Sequence, residues 1–188
     1  MSMSNARMYG GIGAILGLVG PLIPRIGFAI EIAGLVLVFL AVKIISDETG
    51  DGRIFSDFLK AFIATVGGMI VFVVIVLVTV GTAFLNPKEF MPQNLMAVIG
   101  SIIVGFIILW VTLIIGSYFR KKSYELIAQY TGVDMFKTSG LLYFIGAILI
   151  IVFGIGALIM LVAAILEIVA FFSLPEEIGK SEATPVLS

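Results

Sequence analysis

Residues 138–174 read TSGLLYFIGAILIIVFGIGALIMLVAAILEIVAFFSL, and Glu167 is the one charge in the run. An apolar stretch beyond 18 residues reads as membrane-spanning rather than as a core helix. As one helix it would be about 55 Å long at 1.5 Å per residue. That is nearly twice the roughly 30 Å hydrocarbon core of a bilayer. Two glycines in Phe153-Gly154-Ile155-Gly156 permit a tight turn, so the run divides into spans over 138–153 and 157–174.

The same ruler applied outward marks spans at residues 8–23, 26–45, 61–85 and 95–119, each bounded by proline or charge. The expected fold class is all-α: a polytopic membrane protein with six transmembrane helices arranged as repeated helical hairpins. Residues 1–188 form a single membrane domain, with 175–188 a flexible cytoplasmic tail. The first and fifth spans are short, about 24 Å each, so a partly re-entrant hairpin is the alternative to a full crossing. Residues 8–23 lack a small-residue cleavage site, so they read as a retained span and not a signal peptide.

Composition agrees. The chain has 188 residues, 61% hydrophobic and 12% charged, with 21 glycines. A soluble domain has about 25% charged residues; this chain has too few to cover a water-facing surface, which excludes a soluble or disordered protein. There is no His and no Cys. That removes the Ser-His-Asp triad, imidazole and thiolate metal sites, disulfides and histidine proton relays. Net charge is −1, which points away from nucleic acid. No phosphate-binding Gly-x-x-x-x-Gly-Lys loop is present. No enzyme, cofactor or metal is expected. The partners expected are the lipid bilayer and itself or another membrane protein.

With six spans, Arg7, Lys43, Arg53, Lys60, Arg120, Lys121, Lys122, Lys137 and Lys180 share one side, nine of the eleven basic residues. Arg25 and Lys88 lie on the other. The positive-inside rule places both termini in the cytoplasm of a cell-membrane protein.

Two internal echoes suggest a repeated hairpin. Ile12-Gly13-Ala14-Ile15-Leu16 returns as Ile145-Gly146-Ala147-Ile148-Leu149, and Thr49-Gly50 with Phe55 returns as Thr131-Gly132 with Phe136. The opening Tyr9-Gly10-Gly11-Ile12-Gly13, the loop Thr49-Gly50-Asp51, and the closing Gly140-Leu141-Leu142-Tyr143-Phe144 with Phe171-Phe172-Ser173-Leu174-Pro175 also carry a resemblance. The chain resembles a mostly archaeal membrane family, domain of unknown function number 996, over nearly its whole length. The resemblance implies a small multi-span membrane protein and no assigned activity or site residues.

Several constellations carry chemistry or packing. Glu31 and Glu167 are intramembrane carboxylates, each costing about 2.5–3.5 kcal/mol at the bilayer centre. They stand at different depths, so they do not form one pair. Arg25 is the nearest cation to Glu31; Lys43 or Lys137 is the cation expected near Glu167. Shallow snorkelling or hydrogen bonding competes with a proton or cation pathway through them. Gly13, Gly17, Gly100, Gly105 and Gly146 are expected to pack helices closely. Thr49, Gly50, Asp51, Thr131 and Gly132 form two cytoplasmic loop motifs, read as left-handed helix caps against a ligand-binding loop. Asp47, Glu48, Asp51 and Asp57 lack the spacing of a calcium loop. Phe55, Phe58, Leu59 and Phe62 suggest a short interfacial helix before the third span. Trp110 reads as packing. The functional expectation is a non-catalytic accessory, scaffold or oligomerising component. The alternative is a small transporter or channel for protons or cations using Glu31 or Glu167.

Overall fold

The computed structural model describes residues 2–85, 92–152 and 154–177. All regular structure among them is helical: α1 (Met3–Val19), α2 (Gly27–Thr49), α3 (Gly52–Leu85), α4 (Pro92–Thr131), α5 (Asp134–Leu149) and α6 (Ile155–Phe172), with a 3-10 turn at Gly20–Leu22. Lys88, Phe90 and most of the tail, including Lys180, lie outside the described residues. Consecutive helices pair as three hairpins. The hairpins meet through α2–α3 and α4–α5, and α1 packs on α6, closing the circuit.

Four helices are long and apolar enough to cross a membrane: Gly27–Thr49, Gly52–Thr82, Leu95–Thr131 and Ile155–Phe172. At 17 and 16 residues, α1 and α5 are the short ones. The third and fourth spans are parts of longer helices. α3 has 34 residues and α4 has 40, about 51 and 60 Å at the ideal rise. No separate interfacial helix precedes the third span. Phe55, Phe58 and Phe62 belong to α3 and set their rings edge-on around Phe39 of α2, at 6.2, 5.0 and 4.9 Å. The apolar stripe was read as facing a lipid–water boundary; its counterpart is another helix.

The core lies at one end, where α1, α3 and α5 begin and α2, α4 and α6 finish. Ile45, Ile54, Tyr124, Ile127, Phe136 and Phe171 are fully buried there. Phe136 links Tyr124 to Phe171 through edge-on contacts of 5.5 and 5.0 Å, the favoured aromatic arrangement. Beyond this end the hairpins keep bare apolar flanks, such as Leu77, Phe106 and Leu158. Lipid tails are as apolar as leucine, so such flanks carry no penalty in a bilayer.

Glycine closes the two short hairpins. A Cβ on Gly13 would meet the Gly34 carbonyl oxygen at 2.7 Å, and one on Gly34 would meet that of Gly13 at 2.7 Å. A Cβ on Gly146 would meet the Gly156 oxygen at 2.9 Å. The repeated Ile-Gly-Ala-Ile-Leu thus presents its glycine to a partner helix in both hairpins. Gly105 is looser, with Phe72 at 3.2 Å. Gly17 and Gly100 differ from the packing expectation, since nothing lies within 4 Å of a Cβ on either. Gly17 contributes only its backbone to the approach of Gly34. Gly100 lines a shallow groove of about 610 Å³ with Ser101 and Thr79, between α3 and α4.

Candidate functional site: a buried carboxylate with two phenols and a guanidinium

The polar centre of the core end is assembled by three helices. Arg120 and Tyr124 are one helical turn apart on α4, so both face the same side. Gly140 lets α5 come close to them: a Cβ there would sit 3.0 Å from the Lys121 Cα and 3.2 Å from the Tyr124 Cβ. This approach carries Tyr143 to the cluster, and α6 supplies Glu167.

Glu167 is only 4% exposed. The Tyr124 hydroxyl donates to its Oε1 at 2.5 Å, and the Tyr143 hydroxyl donates to its Oε2 at 2.6 Å. The Arg120 guanidinium stands 3.8 Å from Oε1 and lies over the Tyr143 ring at 4.4 Å. It also approaches the rings of Tyr124 and Phe58 at 5.7 and 5.8 Å. Each carboxylate oxygen therefore has a charge-assisted donor, and the charge has a counter-ion. A buried carboxylate without these partners would destabilise the fold by several kcal/mol, about 3–5 where one member of a pair is removed.

Neighbouring ties hold the helices in register. Ser139 donates to the Ala163 carbonyl at 2.9 Å and joins α5 to α6. Ser123 donates to the Ile54 carbonyl at 2.8 Å and joins α4 to α3. Trp110 also makes a polar contact, its indole N–H donating to the Ala147 carbonyl at 3.0 Å.

The cation beside Glu167 is Arg120, not Lys43 or Lys137. Lys43 pairs with Asp47 and lies 5.7 Å from the Phe55 ring. The reason is the continuity of α4. Arg120, Lys121 and Lys122 read as a basic exit from the bilayer, yet the helix continues to Thr131 and turns Arg120 inward. Lys121 instead pairs with Glu125 at 3.1 Å. The i, i+4 spacing of Arg120 and Tyr124 was the available signal. Glu31 has no part in this cluster; it stands exposed near the start of α2, and among the described residues no ion pair joins it to Arg25.

The two loop motifs share one construction, 82 residues apart. Gly50 and Gly132 both take φ 72°, the left-handed region that favours glycine. Thr49 donates to the Ile45 carbonyl at 2.8 Å, and Thr131 to the Ile127 carbonyl at 2.7 Å. The Asp51 and Val133 amides donate back to those hydroxyls at 3.4 Å. The geometry is that of helix capping. The loops touch through the Tyr130 hydroxyl, which donates to Asp51 Oδ2 at 3.1 Å. Arg53 holds the same carboxylate with its Nε and a terminal nitrogen, the latter at 2.6 Å. The Arg53 side-chain bonds, then its backbone amide and Tyr130, keep the Asp51 carboxyl well below the usual carboxylate range, against the opposing effect of burial. Asp57 pairs with Lys60 at 2.8 Å. Among the described residues no three His, Cys, Asp or Glu side chains group as metal ligands.

The family described as protein of unknown function (DUF996) matches residues 30–165. The chain belongs to this family. The DUF996 match runs from α2 into α6 and takes in Arg120, Tyr124 and Tyr143, ending two residues before Glu167. The chain is also similar to the uncharacterized protein MJ1644 of Methanocaldococcus jannaschii. The two are 42% identical over 183 residues, which cover 97% of this chain and 98% of that protein. No solved structure matches the chain.

Proposed function

We propose that the chain is a non-catalytic multi-pass component of the cell membrane, an accessory, scaffold or oligomerising protein with both helix-bundle termini on the cytoplasmic side. The observation that carries this reading is the state of Glu167: both its oxygens accept from phenols, and Arg120 supplies the counter-charge. A carboxylate so held acts as a structural tie between α4, α5 and α6. Several hydroxyls on α3 and α4 are spent on their own helix backbones. Thr82 donates to Val78 at 2.8 Å, Ser101 to Ala97 at 3.0 Å and Thr112 to Ile108 at 3.0 Å. Partners on this reading are lipids and a further membrane protein or a second copy.

The second reading, a proton or cation transporter, draws on Glu31, which is exposed on α2. Reconstituted vesicles separate the two. Wild type, Glu31→Gln and Glu167→Gln are expected to pass protons and monovalent cations no faster than empty vesicles. Flux in wild type that disappears in either variant would establish the transporter and remove the scaffold reading.

A further inference from the structure

The two short hairpins stop well before the long one. Trp110 on α4 bonds Ala147, two residues before α5 ends at Leu149. From Trp110, α4 extends on to Pro92, roughly 27 Å at 1.5 Å per residue. On α3, Gly68 lies against Thr112, and the helix continues from there to Leu85, roughly 26 Å more. The other flank gives the same offset. Phe39 of α2 rests on Phe58 of α3 at 5.0 Å. From that level α2 reaches Gly27 in about 18 Å, whereas α3 reaches Leu85 in about 40 Å.

The tips of the short hairpins are also built for hydrocarbon. Residues 150–155 are Ile, Ile, Val, Phe, Gly and Ile, with no polar side chain, and Ile151 is 61% exposed. Two amides there are satisfied locally: Val152 donates to Leu149 at 2.9 Å and Ile155 to Val152 at 3.0 Å. At the other tip Leu22 and Phe28 are 77% and 76% exposed. Pro21 and Pro24 have no amide to satisfy, and the Ile23 and Gly27 amides donate to Gly20 and Ile23, both at 3.0 Å. Chain buried in lipid must satisfy its backbone internally, whereas connections in water are polar. The α3–α4 connection contains Asn86, Lys88 and Glu89. Depth agrees: Arg120 to Trp110 is about 15 Å along α4, half of a roughly 30 Å hydrocarbon core. The α1–α2 tip carries two charged side chains, Arg25 and Glu31, the latter exposed on α2 beside the Gly20 turn; the apolar stem of Arg25 lets its guanidinium snorkel away from the mid-plane.

We propose that α3 and α4 alone cross the bilayer, that α1–α2 and α5–α6 are re-entrant hairpins ending near its mid-plane, and that the chain is a lipid wedge. Six helices occupy the leaflet that holds the charged end, and two occupy the other. Each helix is about 10 Å across, so the protein is widest in the charged-end leaflet and fits a membrane convex on that side. The proposal stands independently of the scaffold reading, because neither flux nor partner capture bears on depth.

Trp110 is the chain's single tryptophan and marks the tip level, so the wild-type protein carries its own depth probe. Vesicles are made with phosphatidylcholine brominated either near the headgroup or near the end of the acyl chain. Strongest quenching by the deep bromines is the expected result; strongest quenching by the shallow ones would place the tips at the far surface and overturn the proposal. Single cysteines extend the test, since the chain has none of its own. Arg25→Cys and Ile151→Cys are expected to resist a membrane-impermeant maleimide from both sides, while Glu48→Cys reacts from the charged-end side and Phe90→Cys from the opposite side. Reaction of position 25 or 151 from the Phe90 side refutes re-entrance. Thin tubes drawn from giant vesicles test the wedge. Copies with the charged end outermost should be enriched severalfold on the tube, and equal density on tube and vesicle refutes it.

Discussion

Tyr143→Phe removes one oxygen and leaves the ring beneath the Arg120 guanidinium, so it isolates the bond to Glu167 Oε2. Two magnitudes bracket the outcome. A hydrogen bond between helices in a bilayer contributes about 0.6 kcal/mol on average. One to a charged group contributes about 1.5–3 kcal/mol. The Tyr143 bond is 2.6 Å long, its acceptor is 4% exposed, and Arg120 stands 3.8 Å from the other carboxylate oxygen. These features favour the higher range, tempered by Arg120, whose side chain is 29% exposed and partly screened. For a chain of this size each kcal/mol shifts Tm by about 2–4 °C. The expected loss is therefore about 3–12 °C in detergent, followed by the fraction remaining soluble and monodisperse after heating. Tyr118→Phe is the control, since Tyr118 is exposed on the same helix as Tyr124 and should shift Tm little. The Tyr124→Phe, Tyr143→Phe double variant should lose more than the sum of the singles, because the carboxylate then keeps no donor of either kind. A Tyr143→Phe variant as silent as Tyr118→Phe would refute the idea that the phenols hold Glu167.

Three further outcomes test the packing and the loops. Gly34→Val should prise α1 from α2 and destabilise by about 1–3 kcal/mol or more, whereas Gly17→Ala, with open space at its Cβ, should be neutral or stabilise by about 0.5–1 kcal/mol through helix propensity; equal Tm values would show that Gly34 does not set the approach of α1 to α2. Gly132→Ala forces a side chain into φ 72° and should cost about 1–2 kcal/mol, measured in the same heating assay. Asp51 has a carboxyl lowered by Arg53, so its stabilisation is present above the unfolded-state pKa, about 3.9, and is lost as pH falls below it. Asp51→Asn should flatten the stability profile in that acid window and leave its slope at neutral pH unchanged; an unchanged acid limb would show that the loop tie carries no linkage.

The helical membrane class, the hairpin break and the capped loops were legible because each rests on local properties. An apolar run of given length, two glycines at 154 and 156, and a Thr-Gly pair act within a few residues of themselves. The partner of Glu167 was not legible in the same way. The α4 sequence shows that Arg120 and Tyr124 share a face, but not that α5 and α6 lie against it. That depends on Gly140 approaching Tyr124 and on Ser139 bonding Ala163, contacts between different helices. The Phe55–Phe62 stripe misled for a related reason. An amphipathic pattern tells which side seeks an apolar neighbour and does not distinguish lipid from Phe39. Crossing number is not legible from composition, because a hairpin that stopped midway would have the same composition as one that passed through.

The closure of α1 onto α6 has a consequence for the order of the chain. Met3 shares the core with Phe171 and Leu174, and α1 lies along α6 so closely that a Cβ on Gly11 would strike the Phe172 ring. The first and last helices are neighbours in the circuit in the same way as any consecutive pair. A circular permutant that begins at α4, joins residue 177 to residue 2 by a short linker, and finishes at α3 would preserve every interhelical contact described above. The arrangement is thus a cycle, and the place where translation starts is separable from the shape that results.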